Sequence, residues 1–398
     1  MFDGPRLRPS AIGLFSGCGG LDSGFDDQGY ELSAAFDACE RAVTTYNLNQ
    51  RNRARVLEID QNFSIPHGTD VVLAGPPCQG FSTGGGYKKD DPRNSLLLTT
   101  CQLIARSRAK VAVIENVASL TNIRNRRYLA SALTILEDAG YHCEVTLLLA
   151  SDYGVAQRRR RAIIVARSDK RHFTLAPETS EAVKLGEVLG GLSAASANHE
   201  PIFPDRQSKH FRIAQRIGPG QKLCNVRAGP ASIPTWEIPE CFGKTTQVER
   251  CILSSIRRLR RQSRKRDFGD ADPVEISALH LECPEANMEA VESLVGRGYL
   301  RWIEGSIDLT NTFNGKYRRL DPNGASPTVD TRFGDVQLFL HPEENRGLTV
   351  REAARIQGFS DDFLFPSELS RKDIFRMIGN AVPPPMARTI ANFCRELL

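Results

Sequence analysis

Along the first 170 residues, short apolar runs alternate with stretches of helical periodicity. Residues 11–15, 31–36, 71–74, 111–114, 143–149 and 162–166 read as strands, and 39–48, 96–106 and 128–139 as amphipathic helices. This β-α-β rhythm predicts a mostly parallel sheet covered by helices, with ligands bound at the carboxyl ends of the strands. The rhythm stops near residue 175. Polar segments rich in Pro and Gly follow, then a basic helix over 245–266 whose apolar positions Val248, Ile252, Ile256 and Leu259 fall at helical spacing. Two short helices over 272–281 and 284–295 and a hairpin of 299–302 with 306–309 around Glu304-Gly305 complete an order that resembles a winged-helix module. Residues 350–398 return to patterns compatible with the first part. The organisation expected is an α/β body over 1–175, an inserted domain over 176–349 containing the winged-helix-like segment 245–310, and a C-terminal segment over 350–398 that rejoins the body.

Several chemically notable residues fall at predicted strand ends. Phe15-Ser16-Gly17-Cys18-Gly19-Gly20-Leu21 joins a strand to a helix, where glycine lets the backbone approach a ligand, although a tight turn in any α/β protein would look the same. Asp37 ends the next strand, the position from which an acid meets ribose hydroxyls. Gly75-Pro76-Pro77-Cys78-Gln79-Gly80-Phe81-Ser82 follows the strand 71–74. Cys78 there is either a structural thiol or a nucleophile held rigid by two prolines and followed by the glycines 80, 84, 85 and 86. Glu115-Asn116-Val117 ends another strand at the same edge. Gln157-Arg158-Arg159-Arg160-Arg161 puts its alternate members on one face if extended, or is a solvated basic loop.

Composition narrows the class. Apolar residues make up 40% of 398, the 32 glycines add to that, and a mostly disordered chain is excluded. No apolar run approaches a membrane span and residues 1–10 hold no hydrophobic stretch, so a cytoplasmic protein is expected. The ten cysteines show neither a C-x-x-C pair nor zinc spacing, so no metal is expected. The formal charge of +5 is uninformative until divided: residues 206–266 hold 15 basic and 3 acidic residues, a local +12 that leaves −7 for the other 337. A polyanion is the natural partner of such a stretch.

Taken in order, F-x-G-x-G-G, G-P-P-C-Q-G-F-S, E-N-V, Q-R-R-R-R and a late G-N-A-V-P resemble the C5-cytosine DNA methyltransferases across the whole chain. Ser326-Pro327-Thr328, ahead of Arg332, resembles the family's element at the base of its recognition domain. The resemblance implies a Rossmann-like methyltransferase sheet with a smaller inserted target-recognition domain, S-adenosyl-L-methionine as cofactor, duplex DNA as substrate and a restriction endonuclease as a candidate partner of a monomeric enzyme. It makes Cys78 the nucleophile on cytosine C6 and Glu115 a partner of the base, with Arg161 on the O2 side, Arg159 a catalytic residue in support and the Pro76 carbonyl accepting from the amine. The cofactor would lie along Phe15, Gly17, Gly19, Gly20 and Leu21, with Asp37 on the ribose, Asp60 near the adenine, Pro76 close by, and Asn380 and Val382 closing the site.

A base inside a duplex cannot reach such a pocket and must be flipped out. Gln79, Ser82, Lys88, Lys89, Arg93 and Gln157 are the residues expected to hold the flanking DNA. Arg257, Arg260, Arg261 and Arg264 of the basic helix are either further phosphate contacts or a solvated helix end. Helix 284–295, with Glu285, Glu289 and Glu292, is too acidic for a major-groove reader, so base contacts are expected from loops within 206–239. Two rival readings are a tRNA cytosine methyltransferase, whose usual C-F-T segment has only a partial echo in Cys241-Phe242-Gly243, and a non-catalytic DNA-binding regulator, against which the complete set of catalytic residue types argues.

Overall fold

The computed structural model describes residues 8–51, 53–77, 95–262 and 272–398. Its first half runs β1 (Ser10–Leu14), α1 (Gly20–Asp27), β2 (Glu31–Asp37), α2 (Glu40–Asn49), β3 (Ala54–Val56), β4 (Val71–Ala74), α3 (Ser95–Ser107), β5 (Val111–Val117), α4 (Arg126–Asp138), β6 (His142–Leu149), β7 (Gln157–Arg158) and β8 (Arg160–Arg167). Seven of these strands form one sheet in the order β3-β2-β1-β4-β5-β8-β6. The first five are mutually parallel, and β8 is antiparallel to both of its neighbours. The Rossmann-like methyltransferase sheet expected from the sequence is therefore present, and most predicted boundaries fall within two residues of the observed ones. The short edge strand β3 was not visible in the pattern because only Ala54 of its three residues is buried.

Both faces of the sheet are covered, which is why β4 reads as an unbroken apolar run with every residue at 0% exposure. On one side Leu73, Val113 and Val165 share a core with Leu21 and Phe25 of α1 and with Met386 and Ile390. On the other, Val72, Ala112 and Ile164 pack with Leu97 and Ile104 of α3 and with Ala132 and Leu136 of α4. The alternation of side chains along each strand divides these two cores.

The chain continues through α5 (Leu185–Leu189), α6 (Lys209–Gln215), β9 (Lys222–Leu223), β10 (Ser232–Ile233), α7 (Pro239–Phe242), α8 (Gln247–Gln262), α9 (Ile276–Glu282), α10 (Met288–Gly296), β11 (Leu300–Ile303) and β12 (Ser306–Leu309). Three two-residue strands, β13 (Arg318–Arg319), β14 (Ser326–Pro327) and β15 (Phe339–Leu340), precede the helices α11 (Val350–Gln357), α12 (Arg371–Asn380) and α13 (Pro384–Glu396). The chain divides into two compact units, residues 1–200, 323–332 and 350–398 in the first and 201–322 and 333–349 in the second. The boundary therefore differs from that read in the sequence. Residues 176–200 and 323–332 belong to the first unit, the latter because β14 pairs with β7 and Val329 N–H donates to Gln157 Oε1 at 2.8 Å.

Within the second unit, α8, α9, α10 and the antiparallel hairpin β11–β12 follow in order, and Val274, just before α9, bridges Ile307 of β12. Helix, bridging strand residue, two helices and a two-stranded wing is the order of a winged-helix module. Ile252, Ile256, Leu279, Leu294, Leu300 and Ile307 form its core. Cys251 and Cys283 are paired across α8 and the end of α9, with Cα atoms 6.2 Å apart, a link the cysteine spacing did not suggest.

Candidate active site

β1 and β4 end side by side, Leu14 opposite Ala74, and the segments that follow them form the edge where a ligand would sit. After β1 the backbone turns sharply: Phe15 has φ 56°, Gly17 55° and Gly19 93°. A side chain other than glycine's is strained at such angles. Asp37 fixes the turn, its two carboxylate oxygens accepting from Gly17 N–H at 2.9 Å and Cys39 N–H at 2.8 Å. Gly20 is required for a different reason, since a Cβ there would lie 2.3 Å from the Val382 carbonyl oxygen.

Beneath the turn lies a polar group that the motif does not reveal. The Asp22 carboxyl, 1% exposed, fills the space in which a Cβ on Gly13 would stand, 2.2 Å from that point. Burial pushes its pKa up to about 6, opposed by the Ser16 and Tyr46 hydroxyls and reinforced by the charge of Asp37. Burial likewise pushes the Cys18 thiol up to about 12, so this cysteine is an inert packing residue.

The second cluster gathers where β4, β5 and β8 meet. Pro76 follows β4, and its carbonyl accepts from Asn116 Nδ2 at 3.3 Å. Glu115 is 8% exposed, one residue beyond Ile114, which pairs with Ala74 of β4. Arg161, opposite Val117 on the antiparallel β8, places its Nε 2.6 Å from Glu115 Oε1, while its Nη1 donates to the Arg160 carbonyl at 2.8 Å. A carboxylate, a guanidinium and a polarised carbonyl thus meet at one strand edge, a set able to hydrogen-bond the rim of a planar heterocycle.

The family model for C-5 cytosine-specific DNA methylase matches residues 10–396. The chain belongs to this family. The C-5 cytosine-specific DNA methylases include relatives of nearly the same length. Type II methyltransferase M.AgeI of Thalassovita gelatinovora is 30% identical over 96% of this chain and 97% of its own. Type II methyltransferase M.HgiBI of Herpetosiphon aurantiacus is 30% identical over 94% of each. Among solved structures, a prophage-encoded E. coli protein provisionally assigned as a DNA modification methyltransferase superposes with TM-score 0.58 at 22% identity over 98% of this chain and 99% of that one. The Dnmt2 methyltransferase of S. pombe does so with TM-score 0.54 at 15% identity over 98% of each. These structures share the fold.

As a C-5 cytosine-specific DNA methylase the chain takes its methyl group from S-adenosyl-L-methionine. The residues present fit that group. A Cβ on Gly17 would project into open space with no atom within 4 Å, which is the room a ligand lying along the turn requires. Leu21 and Val382 are buried beside the turn, and Asn380 is exposed at the end of α12. Asp60 is exposed and its carboxylate is taken up locally by Asn62, accepting from the backbone N–H at 2.8 Å and from Nδ2 at 3.1 Å. A cavity of about 590 Å³ lined by Ser23, Asp26, Gln50, Arg355 and Asp361 contains none of the turn residues Phe15–Gly20.

Several methylase residues take positions other than those the sequence suggested. Gln157 is fully buried, its Nε2 donating to Gln357 Oε1 at 2.7 Å, and so is closed to DNA. Arg159 is also fully buried and donates to the carbonyls of Val329 at 3.2 Å and Gly379 at 2.9 Å; it ties three chain segments together and is a positioning residue, not a contact to the base. Arg260, 6% exposed, is held by Asp308 at 2.8 and 3.3 Å and is unavailable to phosphate. Arg257 is half-buried with its guanidinium 5.2 Å from the centre of the Trp236 ring. Arg261 is exposed. Cys78, Gln79, Ser82, Lys88, Lys89, Arg93 and Arg264 lie outside the described residues. Asn116 and Asp22 were missed. Asn116 stands beside Glu115 in the same tripeptide, and Asp22 is an acid at the apolar heart of a helix start, which is the available signal for each.

Proposed function

We propose that this methylase modifies cytosine at C5 within a specific duplex DNA sequence, as the protective half of a restriction–modification pair, through a covalent bond from Cys78 to C6 of a flipped base. The observation that carries the reading is the Glu115–Arg161 contact of 2.6 Å beside the Pro76 carbonyl. Cytosine presents N3, an exocyclic amine and O2 along one rim. Glu115 reaches N3 and the amine, the Pro76 carbonyl accepts from the amine, and Arg161 donates to O2. Charge that develops on the ring as the Cys78 thiolate adds to C6 is thereby held by groups already in place.

Adding sulfur to C6 makes C5 an enamine carbon. S-adenosyl-L-methionine supplies the electrophilic methyl group. The C5 proton then leaves to a base, the C6–S bond breaks and the thiolate is restored. Pro76 and Pro77 restrict the backbone ahead of Cys78. The type II relatives supply the argument for a companion endonuclease acting on the same sequence.

The test is to incubate the protein with tritiated S-adenosyl-L-methionine and either duplex DNA or tRNA. Label is expected in 5-methylcytosine of DNA, absent with Cys78→Ser and reduced about 100-fold or more with Glu115→Gln. Label in tRNA alone, or an active Cys78→Ser variant, overturns the reading. Bisulfite sequencing of DNA from expressing cells gives the sequence recognised.

A further inference from the structure

The second unit contains a small sheet built from four two-residue strands. β9 and β10 pair in parallel, as do β13 and β15. Backbone bonds join the two pairs: Leu223 N–H donates to the Lys316 carbonyl at 2.9 Å and Arg319 N–H to that of Gln221 at 2.9 Å. One face is apolar and closed. Leu223, Leu340 and Tyr317 pack there with Ile213, Ile217 and Ile238. Arg319 is buried on that side, its guanidinium spent on the carbonyls of Ile217, Ala214, His341 and Glu344.

Neighbouring positions on a strand face opposite ways. Lys222, next to Leu223, and Arg318, next to Arg319, therefore share the other face. Both are half-buried, and among the described residues neither is paired with a carboxylate. Burial lowers the pKa of each, and the positive charges of Arg318 and Arg227 lower that of Lys222 further. Several arginines of this unit are neutralised: Arg216 by Glu240, Arg260 and Arg301 by Asp308, Arg297 by Glu249. Two like charges, partly desolvated and without a counter-ion, are an unfavourable arrangement that an anion would relieve.

We propose that Lys222 and Arg318 together bind a phosphodiester group of the DNA backbone, making the outer face of the β9–β13 sheet a DNA contact of the second unit. The guanidinium plane suits two oxygens of one phosphate and the ammonium adds a point charge. The stretch 227–230, all exposed, lies between β9 and β10, and Lys222 N–H donates at 2.9 Å to the carbonyl of Ala231 at its end.

The inference rests on duplex DNA being the substrate, and its test separates the two claims. Binding of the full-length protein to a fluorescent duplex carrying its methylation site, and to an unrelated duplex, is measured by anisotropy between about 50 and 200 mM salt. Lys222→Gln and Arg318→Gln should each weaken both duplexes to a similar extent and each lower the slope of log K against log salt, and the double variant should lower it by about 0.9 in all, the value for one phosphate contact. Lys222→Arg should restore the slope. Lys110→Gln, which removes a surface charge paired with Asp70 at the start of β5, should leave it unchanged. A wild-type protein that methylates DNA, with slopes unaltered in both glutamine variants, overturns the phosphate site. A wild-type protein that neither binds nor methylates DNA overturns the reading beneath it.

Discussion

Asp22 shows what a motif conceals. Its neighbours in sequence are read as a glycine turn that admits a cofactor, yet the carboxyl under that turn carries an energetic consequence of its own. The group titrates near 3.8 when free and about 6 when folded. The folded state therefore binds more protons between those values, and stability falls as pH rises through that window, by about 3 kcal/mol in all. Above pH 6 the cost is fully present; below pH 4 it is gone. Asp22→Asn removes it, so the variant's melting temperature should exceed that of the wild type at about pH 8, the gap closing towards about pH 4. A gap independent of pH would mean that the carboxyl is ionised at no cost. At this scale the sequence was informative about residue type and mute about depth. Glu115 and Arg161 meet, as their motifs suggested, but Gln157 and Arg159 from the same motif are wholly enclosed. The difference arises from β14, a segment 170 positions away that closes over them.

Helix α8 makes the same point for an element. Its basic end looked like a phosphate-binding surface because arginines outnumber everything else there. Periodicity held the correction: Val248, Ile252, Ile256 and Arg260 are successive steps of four, so Arg260 lies on the buried stripe. Its partner Asp308 sits in β12 and could not be paired with it from the sequence alone. Both side chains are nearly inaccessible, and Arg301 also reaches Asp308 at 3.2 Å. Breaking such a pair leaves a buried charge unmatched, so Asp308→Ala should lower the unfolding free energy of the full chain by about 3–5 kcal/mol in urea. Replacing Arg260 and Asp308 together by Met and Leu should recover most of it. A loss under about 1 kcal/mol for the single change would show that water reaches Arg260. The sheet was far more legible than this helix end, since strands buried on both faces announce themselves as apolar runs. The antiparallel direction of β8 was not legible, because it depends on the turn at Ala150–Tyr153 between β6 and β8 and not on the apolar pattern of either strand.

For the molecule as a whole, the charge division found in the sequence does not follow the division into units: the second unit holds the +12 of 206–266, but its other residues sum to −9, so it carries +3 against +2 for the first. What the sequence did not disclose is which of those charges are matched by acids within the second unit: Arg216 by Glu240, Arg258 by Glu282 and Arg260 by Asp308. Nor did it disclose the threading of the first unit from three separate segments. The glycine turn near the start of the chain is backed by its far end: a Cβ on Gly20 would meet the Val382 carbonyl, one on Gly24 the Ala387 side chain at 2.4 Å, and the Tyr30 hydroxyl donates to the Ala391 carbonyl at 2.8 Å. Removing residues 384–398 should abolish binding of S-adenosyl-L-methionine in calorimetry and leave a chain without a cooperative melting transition; cofactor affinity within about threefold of the wild type would show that the turn stands alone.

Tyr30 and Ala391 lie 361 positions apart, so the ribosome makes the turn long before it makes the wall behind it. A nascent chain is therefore expected to gain a competent methyl-donor site only once α13 has emerged and packed behind the turn, so that the last helix made completes a site whose first strand was made at the outset.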